Sequence, residues 1–496
     1  MSQKDLGGSI RKGVKWLVVG NLGTRILDFA FGVALARLLV PADFGMIVTI
    51  QAFTGFVGMV TTGGMGQALI RAKEVSGRDF NTVFTMQLSI GALVYLGFFL
   101  AAPPFAEFFG DPLYADLLRV SALSYFLRPF DYMYSSWLNR EMAFHVRTRI
   151  NLITRVITGV ISVLMALAHW GVWSLVLSGL VAGSIKNVLL ARATPLRLRL
   201  HLDRALIRRH AGYGSRVVLV DLLGHFTREG IKVMFSKLAG PAFLGLFNKA
   251  DSLHRLPYWS FGQPLAQPLF RAMAQVQDDL HQTRYLYYRA VTLLMVYVVP
   301  FFVVLGWVAQ AFIDFVYGPK WAAAGPPLAI MALAGPFYVV MRPCTAVTLA
   351  QNRLGIQAWI QVLVLAFTLG ACWVGLRWGL TGAAWGFVAA QVFAATVYYA
   401  LVLHILPTGP RDLVKAVSPG LLLNALLAAV LWLADRWLPP TIQASPLAYL
   451  LIMSLIGFGC YGLAFLWLPI PALASEAARW RQWLGERFAR LREKRV

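Results

Sequence analysis

Charged side chains inside apolar stretches are the residues in this chain most able to do chemistry, and they concentrate between Ser215 and Asp279. From Arg216 to Lys237, between Gly214 and Gly240-Pro241, lies an apolar stretch of membrane-crossing length that carries Asp221, His225, Arg228, Glu229 and Lys232. At about 100° per helical residue, Asp221, His225, Arg228 and Lys232 fall within roughly 60° of one another, with Glu229 at the edge. The next span adds Lys249, Asp251, His254 and Arg255 before expected breaks at Pro257, Pro264 and Pro268. An ionised residue at mid-bilayer costs at least about 2.5–3.5 kcal/mol, so such residues face water, protein or each other. Two arrangements satisfy this. One is ion pairing within the helix, Asp221 with Arg228 or Glu229 with Lys232, which locks helices together. The other is a polar cavity at membrane depth with excess positive charge.

The same pattern recurs more thinly elsewhere. The first span sets Asn21, Arg25 and Asp28 on one stripe, and the fourth carries Arg119, Arg128 and Asp131 around Pro129. There Arg128 either faces the cavity or pairs with Asp131. Arg342, beside Pro343, is a further cavity candidate, while Arg155 and Lys186 sit near span ends and are expected to snorkel to headgroups.

Other chemistries lack their residues. There is no Walker loop with Lys-Ser/Thr, no His-Glu-x-x-His and no Gly-x-Ser-x-Gly. Thr62-Gly63-Gly64-Met65-Gly66 sits at a span end and suits close helix packing better than phosphate. Cys344, Cys372 and Cys460 lie in apolar spans without metal-ligand spacing and read as small packing residues. No cofactor or metal is expected, and a transporter fits better than a membrane enzyme.

The elements that must position these charges are membrane helices. The 496 residues are 58% apolar and only 14% charged, as in an integral membrane protein. Runs long enough for a roughly 30 Å hydrocarbon core recur throughout. They start near Val14, Phe44, Phe80, Tyr114, Ile150, Gly171, Tyr213, Phe243, Tyr285, Ala323, Ile356, Gly379, Lys415 and Pro446, which gives about fourteen transmembrane helices in an all-α fold. A net charge of +23 would suggest nucleic acid for a soluble chain. Here the basic residues gather on alternate connections, such as Arg71, Lys73 and Arg78, Arg140, Arg147 and Arg149, and Arg192 to Arg209. That bias places both termini in the cytoplasm, with no nucleic-acid partner. The N-terminus lacks a cleavable signal pattern. Trp16, Trp137, Trp170, Trp321 and Trp437 read as interface anchors. From Ala474, Trp480, Trp483, Leu484, Phe488 and Leu491 recur at helical spacing among arginines, predicting an amphipathic helix on anionic lipid.

An internal repeat organises the spans. At an offset of 200, residues 36–45 align with 236–245, matching Leu38, Pro41, Ala42 and Gly45 to Leu238, Pro241, Ala242 and Gly245, and Arg37 to Lys237 in charge. At 208, residues 107–110 align with 315–318, and Trp170-Gly171 with Trp378-Gly379. Three matches in order argue for duplication. The expected division is an N-lobe at 1–191, a basic connector at 192–212, a C-lobe at 213–404, two peripheral spans within 405–470 and a tail at 471–496. With six spans each, the lobes share one orientation about a central cationic cavity.

Leu246-Phe247-Asn248-Lys249-Ala250-Asp251-Ser252-Leu253, Leu256-Pro257, Pro268-Leu269-Phe270-Arg271 and Gln277-Asp278-Asp279 resemble a motif of Wzx-type lipid-linked oligosaccharide flippases. These belong to the multidrug/oligosaccharidyl-lipid/polysaccharide exporter superfamily. Leu38-Leu39, Pro41, Phe44-Gly45 and the Val316-Tyr317-Gly318-x-x-Trp321 loop are also similar to theirs. The resemblance implies an inner-membrane transporter working by alternating access. Its cargo would be a polyprenyl-diphosphate-linked glycan for exopolysaccharide, capsule or O-antigen, with polymerase and export proteins as partners. Cations at mid-depth would replace the diphosphate's hydration shell, and Arg25, Arg128, Arg228, Lys232, Lys249 and Arg255 are the candidates to do so. Asp28, Asp221, Glu229 and Asp251 would support these cations or bind a coupling sodium ion or proton. The alternatives are a cation-coupled exporter of the same superfamily, which would want a net acidic cavity, and a polysaccharide polymerase or ligase, which would want a large catalytic loop.

Overall fold

Pro and Gly punctuate long apolar runs here, and the chain folds as helices separated at those points. The computed structural model describes residues 3–62, 76–351 and 353–493. It describes side chains throughout these except at 3–15, 17–19, 21, 56–62, 204–228, 267, 270, 354 and 488–493. Gly63 to Gly66 therefore lie outside the described residues. Contacts divide the chain into two compact units, Met1–Gly245 and Leu246–Val496.

Unit 1 contains α1 (Gln3–Leu38), α2 (Pro41–Thr62), α3 (Gly77–Phe109), α4 (Leu113–Ala122), α5 (Ser124–Arg140), α6 (Phe144–Leu167) and α7 (Trp173–Ala193). The chain then enters α8 (Arg204–Pro257), which is kinked at Gly240, where φ is 84°. Helix α1 packs along α6, α6 along α7, and α3 against α4 and α5. One core cluster joins Ile50, Ala102, Tyr114, Leu117, Leu118 and Val176, and a second joins Phe80, Val83, Phe84 and Met133.

Unit 2 holds the end of α8, a π-turn at Tyr258–Gly262, α9 (Gln263–Gln275), α10 (Leu280–Tyr297), α11 (Val299–Val316) and a 3-10 turn at Pro319–Ala324. It continues with α12 (Gly325–Ala332), α13 (Gly335–Ala350), α14 (Leu354–Gly375), α15 (Gly379–Ile405), α16 (Pro410–Trp437), α17 (Pro440–Gln443), α18 (Pro446–Trp467) and α19 (Ala474–Glu493). The α-helical pattern gives way at Pro257 to the π-turn, as the sequence suggests, but Pro264 and Pro268 do not break the chain: they lie in the first turn and the interior of α9. The two last spans are well anchored, since α16 packs on α10, α11 and α18. Buried Asn424 donates to the Met295 carbonyl at 3.1 Å.

Eight described helices are long and apolar enough to cross a membrane, or nine if the bent pair α12–α13 counts as one. Three of the stretches, at 47, 37 and 51 residues, exceed the roughly 20 that one crossing needs. Large apolar side chains such as Leu93 and Leu100 on α3, and Leu451 and Leu455 on α18, point outward. That is the arrangement expected where the solvent is hydrocarbon.

The glycines aligned in the sequence share a positive φ. Gly110 and Gly318 both follow a helix end with left-handed φ (77° and 85°), as do Gly171 and Gly379 at helix starts (52° and 68°). Residues at such angles pay a steric cost unless they are glycine. Pro41 and Gly45 meet Pro241 and Gly245 reciprocally. A Cβ on Gly45 would lie 1.8 Å from the Pro241 carbonyl oxygen, and one on Gly245 would lie 1.9 Å from that of Pro41. The starts of α2 and of the second half of α8 thus cross backbone to backbone. Buried Thr49 and Ser236 share a 2.6 Å hydrogen bond nearby.

Candidate functional site

Arg128 and Arg342 occupy equivalent settings in the two units. Each precedes a proline inside the second half of a broken helix, α4–α5 in one and α12–α13 in the other, the latter bent by 56°. The Arg128 guanidinium lies 4.9 Å over the Tyr125 ring. Arg342 lies 4.6 Å over Tyr338, whose hydroxyl it also contacts, and 5.2 Å over Tyr258. Neither arginine makes an ion pair among the described residues. Arg342 keeps a buried Nε without a hydrogen-bond partner among the described residues and lines a recess of about 200 Å³ with Tyr258, Gln263, Met273 and Ala346. Aromatic faces hold these cations without neutralising them.

The Arg128–Asp131 pairing that the sequence allows is not made. Asp131 takes Lys186 of α7 at 2.9 Å, and the same bond shows that Lys186 turns inward rather than snorkelling to headgroups. Similarly, Asp28 pairs with Arg155 of α6 at 3.5 Å, so this acid holds a cation outside the expected set. Arg25 is exposed on α1.

On α8, the side chains of Asp221, His225 and Arg228 lie outside the described residues. Glu229 and Lys232 pair at 2.8 Å, the within-helix arrangement that competed with an open cavity. Beyond the kink, the Arg255 Nε reaches both Asp251 oxygens at 2.9 and 3.0 Å. Lys249 lies 4.6 Å from the Tyr317 ring and 4.8 Å from that of Trp321. Trp321 is fully buried, which corrects the expectation that it anchors the interface. Trp16, Trp170 and Trp437 are exposed as anchors should be.

Sequence reasoning weighs two features too lightly. Arg342, a cavity candidate beside Pro343, stood outside the expected headgroup set although its Arg-Pro step matches that of Arg128. His254 is buried against Phe302, Tyr338 and Phe387, and neither ring nitrogen has a hydrogen-bond partner among the described residues. Nothing in its local sequence separates it from its charged neighbours. Among the described residues no group of His, Cys, Asp and Glu could hold a metal ion.

A family model described as "Polysaccharide biosynthesis protein" matches residues 34–326. The chain is 20% identical over 412 residues to the lipopolysaccharide biosynthesis protein WzxC of Escherichia coli (strain K12), covering 82% of this chain and 83% of that protein. It is 25% identical over 340 residues to the succinoglycan biosynthesis transport protein ExoT of Rhizobium meliloti (strain 1021), covering 68% of each. Its fold is shared with the lipid II flippase MurJ in an inward closed conformation. That match has a TM-score of 0.73 at 15% identity and covers 90% of this chain and 96% of that one.

Proposed function

The chain belongs to the polysaccharide biosynthesis protein family, and we propose that within it the protein is a flippase. It carries a polyprenyl-diphosphate-linked oligosaccharide from the cytoplasmic to the periplasmic leaflet by alternating access. The names of its relatives as transport and biosynthesis proteins support this reading, but the carrying observation is the pair of arginines on broken helices. A diphosphate cannot enter hydrocarbon bare. Arg128 and Arg342 offer planar donor forks suited to phosphate oxygens, and tyrosine faces rather than carboxylates hold them, so their charge remains available to the cargo.

Arg25, Lys249 and Arg255 add positive charge, and Arg228 and Lys232 on α8 belong to the same proposal. Asp28, Glu229 and Asp251 each sit in an ion pair, which keeps a neighbouring cation charged and leaves little acidic surface for cationic cargo. The close crossing of Pro41–Gly45 with Pro241–Gly245 supports a closure point, because bare backbones can part and re-form without side chains to disentangle. Fourteen crossings, two like-oriented repeats, cytoplasmic termini and coupling to sodium ions or protons complete the reading.

The test uses the purified chain in proteoliposomes carrying a polyprenyl-diphosphate oligosaccharide. Losing charge-assisted phosphate contacts of about 1.5–3 kcal/mol should cut translocation about 10–100-fold in Arg128→Ala/Arg342→Ala. A correctly inserted double variant that translocates at the wild-type rate rules the assignment out.

A further inference from the structure

Unit 2 contains two neighbouring recesses that the transport reading leaves unused. One, of about 440 Å³, lies between α10 and α16 and is lined by His281, Arg284, Tyr285, Arg289, Asp412 and Lys415 among others. The second, of about 700 Å³, shares Lys415 and is otherwise mostly apolar, with Leu421, Leu422, Ala425, Ile470 and Pro471 in its wall. A basic pocket therefore adjoins a greasy channel, and a single lysine belongs to both.

The basic pocket is built rather than incidental. Arg284 donates to Asp412 at 2.8 Å, and that carboxylate also accepts from Thr408 at 2.8 Å and from the Gly409 amide at 3.1 Å. Behind it, the Tyr288 hydroxyl bonds those of Tyr399 and Thr408, and Thr292 donates to the Ala416 carbonyl at 2.9 Å, so α10 and α16 are tied together. Arg289 contacts Glu476 at the start of α19. Lys415 is exposed and makes no ion pair among the described residues. Three cations thus face the pocket, Arg284 paired with Asp412, Arg289 with Glu476, and Lys415 in no ion pair among the described residues.

We propose that the two recesses form one site for an anionic glycerophospholipid of the surrounding bilayer. Its phosphate meets Lys415 with Arg284 and Arg289, and an acyl chain lies along Leu421, Leu422, Ala425 and Ile470. A soluble anion would use the basic pocket and leave the apolar wall empty. A zwitterionic lipid would bring its own cation towards Lys415, which has no carboxylate partner among the described residues. The site exists only where α10 and α16 pack together, so the lipid should stabilise the folded chain as it binds.

The experiment titrates the full-length protein in detergent with phosphatidylglycerol, with phosphatidylcholine of the same chains, and with tail-less glycerophosphoglycerol. Binding is read by native mass spectrometry and thermal unfolding. Phosphatidylglycerol should bind about five- to tenfold more tightly than phosphatidylcholine, and Lys415→Gln, which breaks no described pair, should lose most of that margin. Ala425→Trp, which fills the channel, should weaken the lipid but not glycerophosphoglycerol. Equal binding of the two lipids, or undiminished binding by Lys415→Gln, overturns the site. If glycerophosphoglycerol binds as tightly as the lipid, the pocket takes a free anion and the lipid assignment fails. None of these readouts involves translocation, so they stand apart from the flippase test.

Discussion

Arg128 and Arg342 show how a membrane protein can keep an arginine charged without surrendering it to an acid. A tyrosine face contributes about 0.5–2 kcal/mol to a cation, enough to hold the side chain in place while its fork stays free for phosphate. Arg342→Lys should therefore give translocation between wild type and Arg342→Ala, because the point charge survives and the fork does not. Initial flipping rates of the three proteins check the order. The Asp131–Lys186 pair has a different role. Its side chains are 39% and 22% exposed, so Asp131→Asn should cost only about 1 kcal/mol of stability. Thermal unfolding measures that, and translocation should fall no further than the stability does. His254 invites the opposite expectation. Its ring nitrogens are buried without hydrogen-bond partners among the described residues, so His254→Phe removes an unsatisfied polar group and should hold or raise the unfolding temperature. A marked drop would reveal a partner that His254 needs.

Helix ends carry the structure at the next scale. Where α2 and the second half of α8 begin, Pro41 and Pro241 turn the chain, and Gly45 and Gly245 let the two backbones touch. Either Gly45→Ala or Gly245→Ala would put a methyl group into the opposing carbonyl, an overpacking cost of about 1–3 kcal/mol. Because one added methyl already separates the crossing, the double variant should cost clearly less than the sum, and a double-mutant cycle in thermal unfolding tests that coupling. The tail obeys similar logic. Periodicity predicts the amphipathic helix α19, and the structure adds how its first turns are pinned. Glu476 contacts Arg289, Leu473 and Ala477 are buried, and the Trp480 indole donates to the Tyr297 hydroxyl at 3.0 Å.

Across the whole chain, the alternating distribution of basic residues makes a topological prediction. Single cysteines at Arg197 and Lys320 should be modified by an impermeant thiol reagent from opposite sides of the membrane, the first from the cytoplasm. Cys344 and Cys372 are fully buried and should react little, and Cys460, which is partly exposed, would be replaced first. Equal labelling of both positions from one side would refute the orientation. The apolar spans, and the alignment of Gly110 with Gly318 and of Gly171 with Gly379, could be read from the amino-acid order. Hydropathy is a property of consecutive residues, and a positive φ favours glycine, although Met142 and His169 adopt it as well. Charge partners could not be read that way. Asp131 finds Lys186, Asp28 finds Arg155, and Trp321 leaves the interface for the core, because each outcome depends on how helices distant in sequence rotate and pack against one another. Periodicity shows which residues share a stripe, but only tertiary packing decides what that stripe meets.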